Sequence, residues 1–288
     1  MFSDFAIWYL FLAGTAGGAL LCGVVSDVRE NARWDAGNAS LRLRCGAFGC
    51  VGLLALAALM LFLDLGNPYD IWLLFECPLR SVMSVGAWLI AVGLVLSTSV
   101  SAMIVLRIDK PWLFRGLELL AAATGVGIMG YTGVLLSSLP SIEFWNTPLL
   151  VALFVASAIS CGFSFVEAAV FFVSADTRGL RNLGSSSSAL RVVELAMLVA
   201  FLASRWFAGG ASQQSCSSLL SGQLAGLFWF GVATCGFVIP LLTDALTRLV
   251  DVPALQLVGA ASTLGGGACL RYCAVLAASY SAISIVVT

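Results

Sequence analysis

Five side chains fall where a chain this apolar has least use for them. Glu118, Glu167, Glu194 and Arg271 lie inside long hydrophobic runs, and so does the phenol Tyr131. An ionisable group in hydrocarbon costs on the order of 2.5–3.5 kcal/mol on insertion scales, so each needs a partner or a task. Glu118 and Glu194 lie about one to two turns from the ends of their runs. Arg115 and Arg191 stand close by to cap them, or the side chains snorkel to the surface. Glu167 and Arg271 lie deeper. They fit either an ion pair that locks two helices or stations on a proton or ion path. Tyr131 sits in Gly130-Tyr131-Thr132-Gly133, where small neighbours leave room around the ring. A phenol can hydrogen-bond a quinone carbonyl and pass on its proton without a permanent charge. It also fits the aromatic belt at a membrane interface, and the residues alone leave both readings open.

Other chemistry is removed by absence. There is no histidine in the 288 residues, so bis-His haem, His-ligated copper and imidazole proton relays are excluded. The nine cysteines, Cys22, Cys45, Cys50, Cys77, Cys161, Cys216, Cys235, Cys269 and Cys273, form no C-x-x-C pair. The closest two, Cys269 and Cys273, lie four residues apart in an apolar run and read as packing residues. No haem, iron–sulfur cluster or other metal is expected on this chain. Lys and Arg number 14 against 15 Asp and Glu, so no basic face is available for nucleic acid. Charged residues make up 10% of the chain and hydrophobic ones 60%, with a mean hydropathy of +1.03. Soluble domains need about 25% charge to wet their surface, so a soluble enzyme and a disordered chain are both excluded.

The elements that must position these groups are membrane helices. A span needs about 20 apolar residues. Eight such runs occur, near Phe5–Val25, Cys45–Asp64, Met83–Leu106, Leu113–Ser137, Pro148–Ser174, Leu190–Phe207, Leu219–Leu246 and Ala254–Val286. The first run has no basic residue before it and carries Asp4, so it reads as a retained span and not a cleaved leader. The loops after spans one, three, five and seven collect Arg29, Arg33, Arg42, Arg44, Arg107, Lys110, Arg115, Arg178, Arg181, Arg191 and Arg248. The opposite loops hold only Arg80 and Arg205. Basic loops stay inside, so the other loops and both termini face outward.

The outward side carries three loops. Asp64-Leu65-Gly66-Asn67-Pro68-Tyr69-Asp70, continuing to Glu76-Cys77-Pro78, and Leu139 to Pro148 are stiffened by proline, with Trp145 as an interfacial anchor. The third is the polar stretch Ser204 to Ser218. A short, stiff, mildly acidic face suits docking of another protein better than a mobile gate. On the inward side Gly184-Ser185-Ser186-Ser187-Ser188 reads as a flexible linker. The expected fold class is an all-α integral membrane protein of eight transmembrane helices, both termini outside. It divides into a four-helix bundle over residues 1–137, an outer loop at 138–147 and a second four-helix bundle over 148–288. No internal repeat relates the halves, which weakens an inverted-repeat transporter.

Seven fragments then occur in an order that resembles the NrfD / polysulfide reductase membrane-subunit family. They begin with Tyr9-Leu10-Phe11-Leu12-Ala13-Gly14 and Ala16-Gly17-Gly18, followed by Leu63-Asp64-Leu65-Gly66-Asn67-Pro68 with Ile71-Trp72-Leu73-Leu74-Phe75. Ser81-Val82-Met83-Ser84-Val85-Gly86-Ala87-Trp88 comes next, then Tyr131-Thr132-Gly133-Val134-Leu135-Leu136-Ser137 and Phe144-Trp145-Asn146-Thr147-Pro148. Glu194, Pro240 and Gly265-Gly266-Gly267 with Leu270-Arg271-Tyr272 complete the set. Asn67 stands where the family usually has Arg.

The resemblance implies a subunit without haem or cluster, in the cytoplasmic membrane of a bacterium or archaeon. Such a subunit anchors a multi-cluster, ferredoxin-like iron–sulfur protein, which wires a molybdopterin catalytic subunit. It exchanges electrons and protons with menaquinone or ubiquinone near the outer face. On that reading Tyr131 is the direct quinone ligand and Asp64 takes up or relays the protons. The first helix, where the polysulfide reductase type uses polar residues, offers only Thr15 and nearby glycines such as Gly18, with no His or Asn. An inward proton path would have to run through Glu118, Glu167, Glu194 or Arg271. The competing class is a secondary transporter or proton channel that uses the same buried Glu and Arg residues and needs no redox partner.

Overall fold

Backbone N–H and C=O groups find no water in hydrocarbon, so a chain that crosses it must bond them within helices or a closed barrel. The computed structural model adopts helices, with no strand among the described residues. Those residues are 3–30, 36–64, 82–108, 110–139, 142–173, 184–249 and 253–287. The elements are α1 (Asp4–Glu30), α2 (Leu41–Asp64), α3 (Val82–Leu106), α4 (Pro111–Ser137), α5 (Pro148–Val173), α6 (Gly184–Ala208), α7 (Gly210–Leu220), α8 (Ile239–Leu249) and α9 (Pro253–Val287). A 3₁₀ turn, Ala36–Asn38, follows α1, and a π-helical segment, Leu227–Val238, leads into α8. Among the described residues six runs are long and apolar enough to cross a bilayer: α1 to α5, and Leu227–Thr247. The chain is an all-helical membrane protein.

α1 is the centre of the packing. It lies against α2, α4 and α5, while α9 lies against α5, α7, α8 and the π-helical segment. In α1, 72% of the apolar window is buried, against 28% in α2, so α2 turns most of its surface to lipid. The α1–α5 crossing is set by glycine. A Cβ built at Gly18 would overlap the carbonyl oxygen of Ala158, and one at Gly162 would overlap Gly18. Water gives no drive to helix pairing inside lipid, so close backbone approach over small residues supplies the dispersion contact instead.

The two ends of the bundle differ in chemistry. At one, Ser3 Oγ donates to the Asp64 carboxylate and ties the start of α1 to the end of α2. At the other, the Ser40 N–H donates to Asp27 Oδ1 at 2.6 Å, closing the α1–α2 connection. That second end also holds the ion pairs Arg42–Glu30 and Arg115–Glu118, each at 2.9 Å, and Arg191–Asp244. Glu118 also faces Asp27, and Glu167 stands among Arg42, Arg191 and Asp244, so the end of α1, the starts of α2, α4 and α6, and α8 meet at the arginine-rich end.

Four local expectations change. Gly184–Ser188 is not a linker but the first turn of α6. Ser188 Oγ donates to Asp244 at 2.8 Å, which anchors that turn. Ser204–Ser218 is not a loop: α6 runs to Ala208, and after a turn at Gly209 and Gly210, both at positive φ, α7 begins. The buried face of α7 is Ser212, Ser215, Cys216 and Leu219, small enough to pack closely although polar in composition. The seventh span does not start at Leu219, because α7 ends at Leu220 and the next helical segment opens at Leu227. Its π geometry stops where Pro240, which has no N–H to donate, enters the helix. Trp145 is not an interfacial anchor. It is 1% exposed and donates its indole N–H to Ala274 O at 2.8 Å, which bolts the 142–147 loop onto α9. The Asn67–Pro78 loop with Tyr69, Asp70, Glu76 and Cys77 lies outside the described residues, as do Arg33, Arg80, Pro140, Ser141, Arg178 and Arg181.

Candidate functional site

Tyr131 lies on α4 about two turns before its end, 6% exposed, and three helices meet around its ring. From α3, Gly86 presents bare backbone: a Cβ there would overlap the phenol Cζ and Oη. From α1 comes a second phenol, Tyr9, which interacts with that of Tyr131. Tyr9 is 3% exposed, and its hydroxyl faces the Tyr131 phenol without a well-aligned hydrogen bond. A buried hydroxyl left poorly bonded costs up to about 1–3 kcal/mol by protein mutational data, so the pair has bonding capacity to spare. Tyr9 was not among the residues expected at the site. Its signal is a faint one: Ala6 and Ala13, three residues before and four after, leave its helix face open, much as glycines flank Tyr131.

Asp64 ends α2, and its bond to Ser3 puts it at the same end of the bundle as the two phenols. Thr15 and Gly18 lie about 9 and 13 Å farther along α1 than Tyr9, at 1.5 Å per residue. The Thr15 hydroxyl donates to its own helix, to Phe11 O at 2.8 Å, and Gly18 is covered by α5. The structure therefore brings Tyr9, Tyr131 and Gly86 together and leaves Thr15 and Gly18 in the α1 packing seam.

The buried charges separate into groups. Glu118, fully buried, pairs with Arg115 at 2.9 Å and faces Asp27. Arg191 does not cap Glu194; it pairs with Asp244. Glu194 instead faces Ser157 and Ser160, with Arg271 nearby. Arg271 is 0% exposed and donates from Nη1 to Gly267 O at 2.9 Å and to Ser157 Oγ at 3.2 Å. Its guanidinium carbon stands over the rings of Phe11 and Phe154 at 5.5 and 5.4 Å, and Nε and Nη2 make no hydrogen bond. An Arg271–Glu167 ion pair does not form. Glu167 lies ten residues beyond Ser157 on α5, about 15 Å along the axis, among Arg191, Arg42 and Asp244. Among the described residues no three His, Cys, Asp or Glu side chains gather to hold a metal ion.

The likeness to known proteins runs along nearly the whole sequence. The model of the family described as "Polysulphide reductase, NrfD" matches residues 2–284. The chain belongs to the NrfD family. This NrfD-family protein is 30% identical over 288 residues to Protein NrfD of Escherichia coli, covering 89% of itself and 88% of that protein. It is 29% identical over 264 residues to the C polypeptide of polysulfide reductase from Wolinella succinogenes, covering 82% of itself and 80% of that protein. The Haemophilus influenzae NrfD homolog is 28% identical over 264 residues, again covering 82% of this protein and 80% of the relative.

Proposed function

We propose that the chain is the quinone-reactive membrane subunit of an oxidoreductase complex, with Tyr131 and Tyr9 as the pair that holds the quinone or quinol oxygen. One observation carries this reading: two buried phenols from different helices face each other, and the Tyr9 hydroxyl makes no well-aligned hydrogen bond. A quinone carbonyl would accept from that hydroxyl, and a quinol hydroxyl would donate to it. Membership in the NrfD family supports the redox setting.

The proposed arrangement has eight spans, with α6 and α9 joining the six apolar runs, in two four-helix bundles with both termini on the outer side of a bacterial or archaeal cytoplasmic membrane. The arginine asymmetry between the two ends supports that orientation. The substrate is menaquinol or ubiquinol, entering between helices of the first bundle. Tyr131, whose ring fills the gap that Gly86 leaves, fixes one oxygen, and Tyr9 bonds to it from α1. Asp64, at the same end, receives the protons released on oxidation and passes them outward. Electrons go to an iron–sulfur subunit docked on the outer face, and from there to a molybdopterin catalytic subunit. The 142–147 loop, pinned by Trp145 to α9 and by Arg205 Nη1 to Glu143 O at 3.0 Å, gives that partner a rigid platform.

Tyr9→Phe tests the pair. Removing a buried hydroxyl that has no well-aligned hydrogen bond leaves the ligand-free fold about as stable as before. It also deletes one ligand hydrogen bond worth about 0.5–1.5 kcal/mol. The expected result is a nearly unchanged Tm, with the quinol KM of the assembled complex raised about threefold to tenfold. An unchanged KM would remove Tyr9 from the site. Substrate flux through the purified single chain, with no redox partner, would favour a transporter instead.

A further inference from the structure

At the arginine-rich end a cleft of about 480 Å³ opens between α1, α5 and α6. Its walls are Leu21 and Val25 from α1, Ile159 and Phe163 from α5, and Leu190 and Val193 from α6. It runs along α1 from Leu21 to Arg29, about 12 Å at 1.5 Å per residue. Its charged groups, Arg29, Glu30 and Arg42, stand at the mouth, with Ser26 about one turn deeper along α1. Beside Cys22, Arg42 and Phe163 it adjoins a narrower space, too small for water, that reaches Glu167. Glu30 is bonded to Arg42 at 2.9 Å, so that pair brings no net charge, and the exposed Arg29 leaves the mouth positive.

A long apolar slot with a cationic mouth at the membrane surface fits a particular chemistry. The occupant must be thin and hydrocarbon along its length and carry an anion at one end. From this geometry we infer that the cleft is a binding site for one anionic phospholipid. An acyl chain lies between α1 and α6, and the phosphate sits on Arg29. A quinone fits less well, because its head is neutral and gains nothing from the positive mouth. Free phosphate cannot use the apolar walls. The bound lipid bridges α1 of the first bundle to α6 of the second, both of which pack on α5. This site is separate from the Tyr9–Tyr131 pair and does not depend on the function proposed for it.

The test uses the full chain, purified in mild detergent, stripped of lipid and given equimolar phosphatidylglycerol and phosphatidylcholine, with retained masses read by native mass spectrometry. One phosphatidylglycerol is expected to remain bound, preferred about fivefold, as one interfacial arginine facing an anionic headgroup allows. Arg29→Gln brings the preference to parity. Glu30→Gln removes the one carboxylate of the mouth and raises it, a gain that misfolding cannot imitate. Val193→Trp fills the slot and lowers retention of both lipids, while excess inorganic phosphate displaces neither. Equal retention of the two lipids by the natural chain would overturn the proposal. So would a preference unmoved in both charge variants, displacement by inorganic phosphate, or retention of a quinone mass that Val193→Trp removes.

Discussion

Tyr131→Phe is expected to leave the complex assembled and to cut quinol-driven reduction of the partner's clusters about a hundredfold. The phenyl ring keeps the shape that fills the gap beside Gly86, so packing among α1, α3 and α4 is preserved. What disappears is the hydroxyl that, on the proposed function, orients the quinol and takes part in its proton transfer. A positioned acid–base group contributes about 10²–10⁴ in rate. Tyr9 still stands beside the site, so the loss falls at the lower end of that range. Stopped-flow reduction of the clusters, with subunit content checked on the same sample, reads both quantities. Full activity in the variant would exclude Tyr131 as a ligand. Loss of assembly would make it a packing residue.

Gly18→Leu is expected to have the largest effect on the fold itself. The atoms that meet a new side chain here are backbone: the carbonyl of Ala158 and the Cα of Gly162, at 3.2 Å from the Cβ position. Neither can rotate away, so α1 and α5 must move apart along the seam where they cross. Overpacking a tight core costs about 1–3 kcal/mol even where side chains can adjust. At roughly 2–4 °C per kcal/mol for a chain of this order of size, Tm should fall by at least ~5 °C. Gly52→Leu on α2 is the matched control, since no atom lies within 4 Å of its Cβ position. Equal Tm values for the two variants, measured in the same detergent, would show that the α1–α5 crossing is not the tight joint described.

Hydropathy located the first five spans closely because each is a long apolar run between breaks. Met83–Leu106 in the sequence became Val82–Leu106, and Pro148–Ser174 became Pro148–Val173. It failed where a helix buries polar or small residues. α7 hides Ser212, Ser215 and Cys216, so its composition looks like a loop. Pairings were legible only when local. Arg115 and Glu118 lie three apart and do pair, whereas Arg191 reaches across 53 residues to Asp244, beyond any local rule. Of the proposed site, the sequence pointed to Tyr131 through its glycines, whereas Tyr9 stands out only when α1 and α4 are packed and the two phenols face each other.

The proposed function depends above all on a quinone oxygen binding between α1 and α4 at the Tyr9–Tyr131 pair. Photo-crosslinking with an azido-quinone in the assembled complex, followed by peptide mapping, addresses this most directly. Labelling of α1 around Tyr9 and of α4 around Tyr131 is expected, competed by excess unmodified quinone and lost in the Tyr9→Phe, Tyr131→Phe double variant. Competed labelling confined to other helices, or undiminished in the double variant, would contradict it.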